Sequence, residues 1–315
     1  MLDSIFISKP TNNWIKEASL KPIPKMLFSE LFFEGEICVL YSDTNTGKSI
    51  LAVQIGDSIS KGIPILGFKL EAEKQKVLLF CFEMSDKQLE NRYSNDYKNH
   101  YQFDDNFIRS QIDFDSDVNI DEEALKVALE AEILKQDAKV IIIDNLTYLS
   151  QDNEKAKLAL ELMKHLKSLK NKYNLSILIL AHTPKREHNK PISNNDLQGS
   201  KMLINFCDSA FAIGLSYSNH SLRYIKQIKQ RNCEQIYHQD NICVCKLNKG
   251  LESNFLQFEF LEFDSEYNHL NINKDLNFEA KKIETAQLKA QGWTNQKIGD
   301  KFNVTETAVR KWLSK

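Results

Sequence analysis

Residues Ile37 to Ser60, ICVLYSDTNTGKSILAVQIGDSIS, constrain the fold more than any other stretch. The apolar run Ile37 to Tyr41 reads as a buried strand. A polar loop, Ser42 to Thr46, leads into Gly47-Lys48-Ser49. Ile50, Leu51, Val53, Ile55 and Ile59 then recur at roughly helical spacing, and Lys61-Gly62 supplies a stop. The first turn of a helix presents unpaired N–H groups and a partial positive charge, so a loop between a strand and a helix start suits phosphate. The spacing predicts a phosphate-binding P-loop made of Ser42, Asp43, Thr44, Asn45, Thr46, Gly47, Lys48, Ser49 and Ile50. In it Gly47 lets the backbone approach the phosphates, Lys48 neutralises the β and γ groups, and the Ser49 hydroxyl holds Mg²⁺. ATP and Mg²⁺ are the expected cofactors. The pattern G-x-x-x-x-G-K-[ST] asks for glycine at position 42, where this chain has Ser42. Serine can open such a loop if its backbone stays in ordinary φ/ψ space.

The rest of the chain alternates strand and helix patterns. Residues 1–30 contain Pro10, Pro22 and Pro24 and read as an extended arm with a short helix near Asn13 to Ala18. KVLLFCFE (76–83), KVIIID (139–144), LSILILAH (175–182) and CDSAFAIGL (207–215) read as apolar strands; Phe107 to Phe114 is a short, weaker one. Helices are expected over SDKQLENRYSNDYKN (85–99), Asp121 to Lys135 and residues 153–174. RYIKQIKQR, NICVCKLNK and FLQFEFLEF read as a β meander. This pattern predicts an α/β sheet with antiparallel additions. The expected units are an arm (1–30), an ATPase domain (31–264), a polar linker (265–278) and a small helical unit (279–315).

Two strands end on acids. Asp144 follows a buried strand, and in a P-loop protein an acid there reaches Mg²⁺ through water. Glu83 ends the neighbouring candidate, where a carboxylate can orient the attacking water as base. The motif order then resembles RecA-like ATPases, in particular ring-forming DnaB-type helicases and plasmid RepA-like replication helicases. Glu83-Met84-Ser85 with Arg92 resembles the E-M-x…R stretch of the DnaB type, Ala181-His182 ends a strand where that family senses the γ-phosphate, and Asp196-Leu197-Gln198-Gly199-Ser200 with Asp208 resembles the segment after its DNA-binding loop. Lys229-Gln230-Arg231-Asn232 is similar to its K-x-R-N. The resemblance covers about Leu31 to Phe263. It implies a RecA-like core, Glu83 as catalytic base, His182 as phosphate sensor, and Lys229 and Arg231 reaching a neighbour's γ-phosphate in a ring, expected to be a hexamer. A cation supplied in trans stabilises the transition-state charge. The polar segment Thr183 to Asn195 reads as a loop, and Lys185, Arg186, His188 and Lys190 suit a DNA-facing position in a motor.

Residues 279–315 read as three helices broken at Gly292 and at Asn303-Val304, with Thr294 and Thr305 as caps and Trp293, Ile298, Phe302, Val304, Val309 and Trp312 as core. The spacing resembles a helix-turn-helix of the resolvase or transposase kind, with the last helix for recognition. This segment has eight basic and four acidic residues, a net of +4, against −6 for the remainder of a chain whose net is −2. A basic unit on an acidic body is the footprint of local nucleic-acid binding, so DNA is the expected partner. Thr307, Arg310 and Lys311 are the candidate contacts.

Composition excludes other classes. At 42% hydrophobic and 27% charged, the chain is ordinary globular material. No apolar run approaches the roughly 18 residues of a membrane span, and the first residues lack a secretory pattern, so a cytoplasmic protein is expected. Of six cysteines, Cys38, Cys81, Cys243 and Cys245 sit in strand-like runs without further metal ligands nearby and read as buried reduced thiols. Two functions remain open on the sequence: a ring motor that hydrolyses ATP on DNA, and a DNA-bound ATPase switch whose nucleotide state sets assembly.

Overall fold

A computed structural model describes residues 6–113, 122–145, 155–183, 186–197, 200–250, 253–302 and 304–313. After a helix in the arm, α1 (Thr11–Ala18), the short strands β1 (Met26–Phe28) and β2 (Phe32–Phe33) pair. The central strand β3 (Ile37–Ser42) feeds α2 (Lys48–Lys61) and then β4 (Val77–Cys81). Next come α3 (Asp86–Arg92), the small hairpin β5 (Ser94–Asn95) and β6 (Asn99–His100), and β7 (Phe107–Ser110). The core continues through α4 (Glu122–Gln136), β8 (Val140–Asp144), α5 (Lys155–Tyr173), β9 (Ser176–His182), α6 (Ser200–Phe206) and β10 (Ser209–Leu215). A meander of β11 (Leu222–Lys229), β12 (Ile242–Asn248) and β13 (Gln257–Asp264) follows, then α7 (Ile272–Ala290), α8 (Asn295–Phe302) and α9 (Glu306–Leu313).

Nine strands form one sheet in the order β13-β12-β11-β10-β3-β9-β8-β4-β7. From β10 to β7 every pairing is parallel; β11, β12 and β13 extend the sheet antiparallel. This is a RecA-like P-loop NTPase core, as the order of strands and helices predicts. The chain passes directly from β3 to β4, yet β9 and β8 lie between them. That insertion brings the carboxyl ends of β3, β9, β8 and β4 side by side, where ligands of open α/β sheets bind.

Residues alternate across the sheet and build two cores. Cys38 and Leu40 join Leu51 and Ile55 of α2, Leu79, Ile142, Leu178 and Phe211 on one face. Ile37, Val39 and Tyr41 join Leu129 of α4, Leu162 and Leu166 of α5, Leu78, Ile141 and Ile143 on the other. Each such buried aliphatic side chain contributes roughly 1.5–3 kcal/mol. Cys243 and Cys245 are both buried in the first core, on one face of β12, and all six cysteines are unpaired.

Two expectations about elements need correction. The helix expected over 85–99 ends at Arg92. Tyr93 turns into an aromatic cluster with Phe103 and Phe255, and Asp96 and Tyr97 take positive φ values of 49° and 57° that reverse the chain as a tight hairpin. The segment expected as linker to 278 is helical from Ile272, so α7 begins seven residues before the predicted start at Glu279.

The last three helices pack on Leu288, Ile298 and Val309, with Trp293, Phe302 and Val304 against them. Gly292 takes φ 85°, and Thr294 and Thr305 hydroxyls accept from Lys297 and Ala308 N–H groups at 3.2 and 3.3 Å. The predicted turn residue Asn303 lies outside the described residues. Gly299 in α8 is what lets the turn close: a Cβ there would sit 2.7 Å from the Val304 carbonyl oxygen. Gly299→Ala is expected to destabilise this unit by about 1–3 kcal/mol through overpacking. Faster amide exchange confined to residues 288–313, with nucleotide affinity unchanged, is the measurement that checks it.

Candidate active site

The P-loop leaves β3 at Ser42 and enters α2 at Lys48. Gly47 takes φ 105°, and a Cβ on it would fall 2.9 Å from the Phe258 ring of β13, so glycine is required both by conformation and by space. Gln54 of α2 holds β13 in that position. Its side-chain amide donates to the Phe258 carbonyl at 3.0 Å and accepts from the Phe258 N–H at 2.9 Å. Asn45 is left-handed at φ 62°, whereas Ser42 is outside the set of positive-φ residues. Serine therefore opens the loop without strain, and its hydroxyl bonds the Thr46 hydroxyl, whose own proton is given to the Asp43 carbonyl at 2.9 Å.

The predicted residues Lys48, Ser49, Glu83, Asp144 and His182 converge on one cleft, which Thr44, Asn45, Gly47, Ile50, Gln88, Arg92, Asn145 and Leu247 also line. Asp144 is buried at the end of β8 and accepts from the Ser49 hydroxyl. Burial pushes its carboxyl up to about 6, and Glu83 adds to this, while Ser49, Lys48 and Arg92 oppose it. The Lys48 ammonium is buried and donates to the carbonyls of Ser42 and Asp43 at 3.0 and 3.1 Å. Desolvation lowers it to about 8 against the pull of Asp144, Asp43 and Glu83.

One residue absent from the sequence prediction completes the site. The Asn145 amide donates to Glu83 Oε1 at 2.6 Å and meets His182 Nε2 at 2.9 Å, while His182 Nδ1 lies 3.2 Å from Lys48 Nζ. A chain thus runs Glu83–Asn145–His182–Lys48. Burial, and then Lys48, lower the pKa of His182 and favour the neutral ring. A neutral imidazole has one acceptor nitrogen, so it cannot accept from Asn145 and Lys48 together. Transfer of the ammonium to a phosphate would end the conflict. The signal that points to Asn145 is its place directly after the strand-end Asp144. Arg92, read only as part of a family stretch, is a second addition. Its Nη1 is buried without a hydrogen-bond partner among the described residues, at the cleft wall.

These features fit ATP and Mg²⁺: a Cβ-free approach at Gly47, a buried ammonium held by carbonyls it can exchange for phosphate oxygens, an orphan guanidinium nitrogen, and a hydroxyl–carboxylate pair for the metal. Bound Mg²⁺ would supply neutralisation of phosphate charge beside Ser49 and Asp144.

Other predicted residues lie elsewhere. Lys229 ends β11 opposite Ala210, at the end of the sheet away from the P-loop. Its ammonium binds the carbonyls of Ile204 and Cys207, the latter at 2.7 Å. Arg231 is exposed and pairs with Asp208 at 3.2 Å. Within one chain neither reaches the cleft. Arg186 is turned inward, 7% exposed, between Asp43 and Asp196 at 3.9 Å each. Lys190 is exposed and pairs with Glu187. Thr307, Arg310 and Lys311 are exposed on α9. Lys185, Gln198 and Gly199 lie outside the described residues.

A family model for the AAA domain (AAA_25) matches residues 9–188, which hold the P-loop, Glu83, Asp144 and His182. The chain belongs to this family. No curated protein matches it. The AAA domain supports nucleotide binding and a P-loop ATPase. No helix among the described residues is long and apolar enough to cross a membrane.

Two outcomes follow from the cleft. Without Mg²⁺, affinity for ADP is expected to be flat below about pH 8 and to fall above it, because phosphate needs the protonated Lys48 and its free-site pKa is about 8. Titration of a fluorescent ADP in chelator across pH 6.5–9.5 (about 1.5 units on each side of the Lys48 pKa) checks this, with Lys48→Ala flat throughout. Asn145→Ala is expected to lower kcat about 10- to 100-fold by misplacing Glu83, with nucleotide affinity little changed. Steady-state hydrolysis beside equilibrium binding separates the two.

Proposed function

We propose that the protein is an ATP-hydrolysing, DNA-binding ring ATPase, a RepA-like helicase or translocase acting in the replication of a plasmid or other mobile element. The carrying observation is the chain Glu83–Asn145–His182–Lys48. It joins a carboxylate fit to take a proton from water to the cation that must meet the γ-phosphate. It also passes through His182, the residue that opens the segment toward Arg186 and Lys190. In this reading Lys48 and Ser49 hold phosphate and metal, Asp144 orders the metal's water, and Glu83 accepts the proton of the attacking water. Lys229 and Arg231, remote from their own P-loop, serve the P-loop of the next subunit, which makes the ring, a hexamer, a requirement for turnover. Arg310, Lys311 and Thr307 contact DNA from α9, where Arg310 is exposed and bound only loosely to Glu306 at 2.8 Å on the surface.

A second reading is favoured by Arg186. A motor needs cations facing its channel, and this one is held inward by two carboxylates. In that reading the protein is an ATP-gated DNA-binding regulator or loader that does not translocate.

The test is ATP hydrolysis with and without single-stranded DNA, with mass measured in solution. Stimulation by DNA in a ring-sized particle supports the motor; slow turnover indifferent to DNA in a monomer or dimer leaves the switch. Lys48→Ala and Arg231→Ala are each expected to be inactive alone. Mixed, they are expected to regain hydrolysis, because the first supplies an intact Arg231 to the intact P-loop of the second. Failure of the mixture to recover removes the role in trans.

A further inference from the structure

A network outside the catalytic chain links the P-loop to the start of α7. The Asp43 carboxylate accepts from the Thr183 hydroxyl and stands 3.9 Å from Arg186 Nε and 3.7 Å from His188 Nδ1. Arg186 also faces Asp196, which fixes Ser193 through its N–H and hydroxyl at 2.7 and 2.9 Å; Tyr41 of β3 donates to the Ser193 carbonyl at 2.7 Å. The adjacent Ile192 is gripped at both ends. Its N–H donates to Glu266 Oε1 at 2.7 Å, and its carbonyl accepts from Lys226 at 2.7 Å. Glu266 is fully buried, pairs with Lys226 at 2.5 Å and accepts from Tyr224 at 3.1 Å. It lies in the short turn Glu266–His269 that leads to α7. The Asn271 N–H, at the foot of α7, donates to the His188 carbonyl at 3.0 Å.

A buried ion pair is weak support for stability and better attested as a device for register. Here it fixes the segment Arg186–Leu197 against the residues leading into α7. The other end of that segment is fixed to Asp43, whose carbonyl is one of the two that Lys48 must leave when phosphate arrives. Lys48 also leaves His182, one residue before Thr183. One change of partner by one cation therefore disturbs both attachments of the segment to the P-loop.

We propose that Arg186–Leu197 is a clamp that reports the nucleotide state of the P-loop to the base of α7, and so sets the DNA affinity of the C-terminal helices. This rests on the reading of the P-loop as an ATP site and of the C-terminal helices as the DNA-binding unit. Nucleotide loosens the clamp at Asp43; Glu266 carries the change across the core.

The test uses the full chain with and without Mg²⁺ and a non-hydrolysable ATP analogue. Amide exchange is read at Ile192 and Asn271, and duplex DNA affinity in parallel. In the native protein, nucleotide is expected to speed exchange at both amides and to shift DNA affinity, each by about fivefold or more. In Glu266→Gln, nucleotide still binds, but the Asn271 amide and DNA affinity no longer respond. The double variant Lys226→Met, Glu266→Leu removes both charges without leaving one buried alone, and is expected to behave alike if the single variant is too unstable. Nucleotide binding with no change at either amide in the native protein overturns the proposal, as does a full DNA response in the variants. An amide response without DNA binding in any state sinks the DNA reading of the helices and the second half of the proposal, while the clamp itself stands.

Discussion

The buried ammonium of Lys48 is the charge around which the site is arranged. A buried cation needs partners, and the fold supplies them from separate elements: two carbonyls of its own loop, an imidazole from β9, and the field of Asp144 and Glu83. Desolvation still wins, and the pKa of Lys48 falls. A cation so held gains when phosphate oxygens replace the carbonyls, since those carry full charge. The same low-dielectric setting raises Asp144 and leaves the Arg92 guanidinium partly unsatisfied. A triphosphate and a divalent metal would meet each of these demands.

Sheet topology makes this possible. Lys48 and Glu83 follow β3 and β4, consecutive core strands along the chain, but β9 and β8 lie between those strands in the sheet. The gap left above those two inserted strands is the cleft, with Asp144 and His182 as its floor. The meander then bends the far edge of the sheet over α2, where Gln54 treats β13 as a strand partner and Phe258 closes against Gly47. The edge strands thereby shape the P-loop from outside.

Sequence periodicity carried the parallel strands, α2, α4, α5 and the three C-terminal helices, because each buries a continuous face whose pattern is written in the residues. The P-loop spacing carried Lys48 and Ser49, in the first turn of α2, and the strand pattern carried Glu83, Asp144 and His182, at or just past strand ends that face the cleft. It failed where a choice between partners decides the outcome. The helix after Glu83 stops because Tyr93 has an aromatic pocket to enter, which helical propensity does not record. Asn145 was passed over because an amide beside the strand-end acid Asp144 has no charge signature. Arg186 was read as a cation for DNA because its sequence neighbours are polar; only the approach of Asp43 and Asp196 in space turns it inward.

Arg186 also narrows what its loop can do. Turning it outward would expose a guanidinium at the expense of two carboxylates left without their cation, and one of these belongs to the P-loop. Like-charged groups left uncompensated in a half-buried site are costly, so the arginine can leave only when something else answers Asp43. Phosphate binding works in the opposite sense at first sight, since it adds negative charge beside Asp43. It also draws Lys48 away from the Asp43 carbonyl. The phosphate thus competes with Asp43 for Arg186 while the loop backbone loses Lys48, and the attachment of the segment at Asp43 loosens. Without nucleotide, Arg186 therefore holds the segment to the P-loop, while Lys190 stands at its exposed turn.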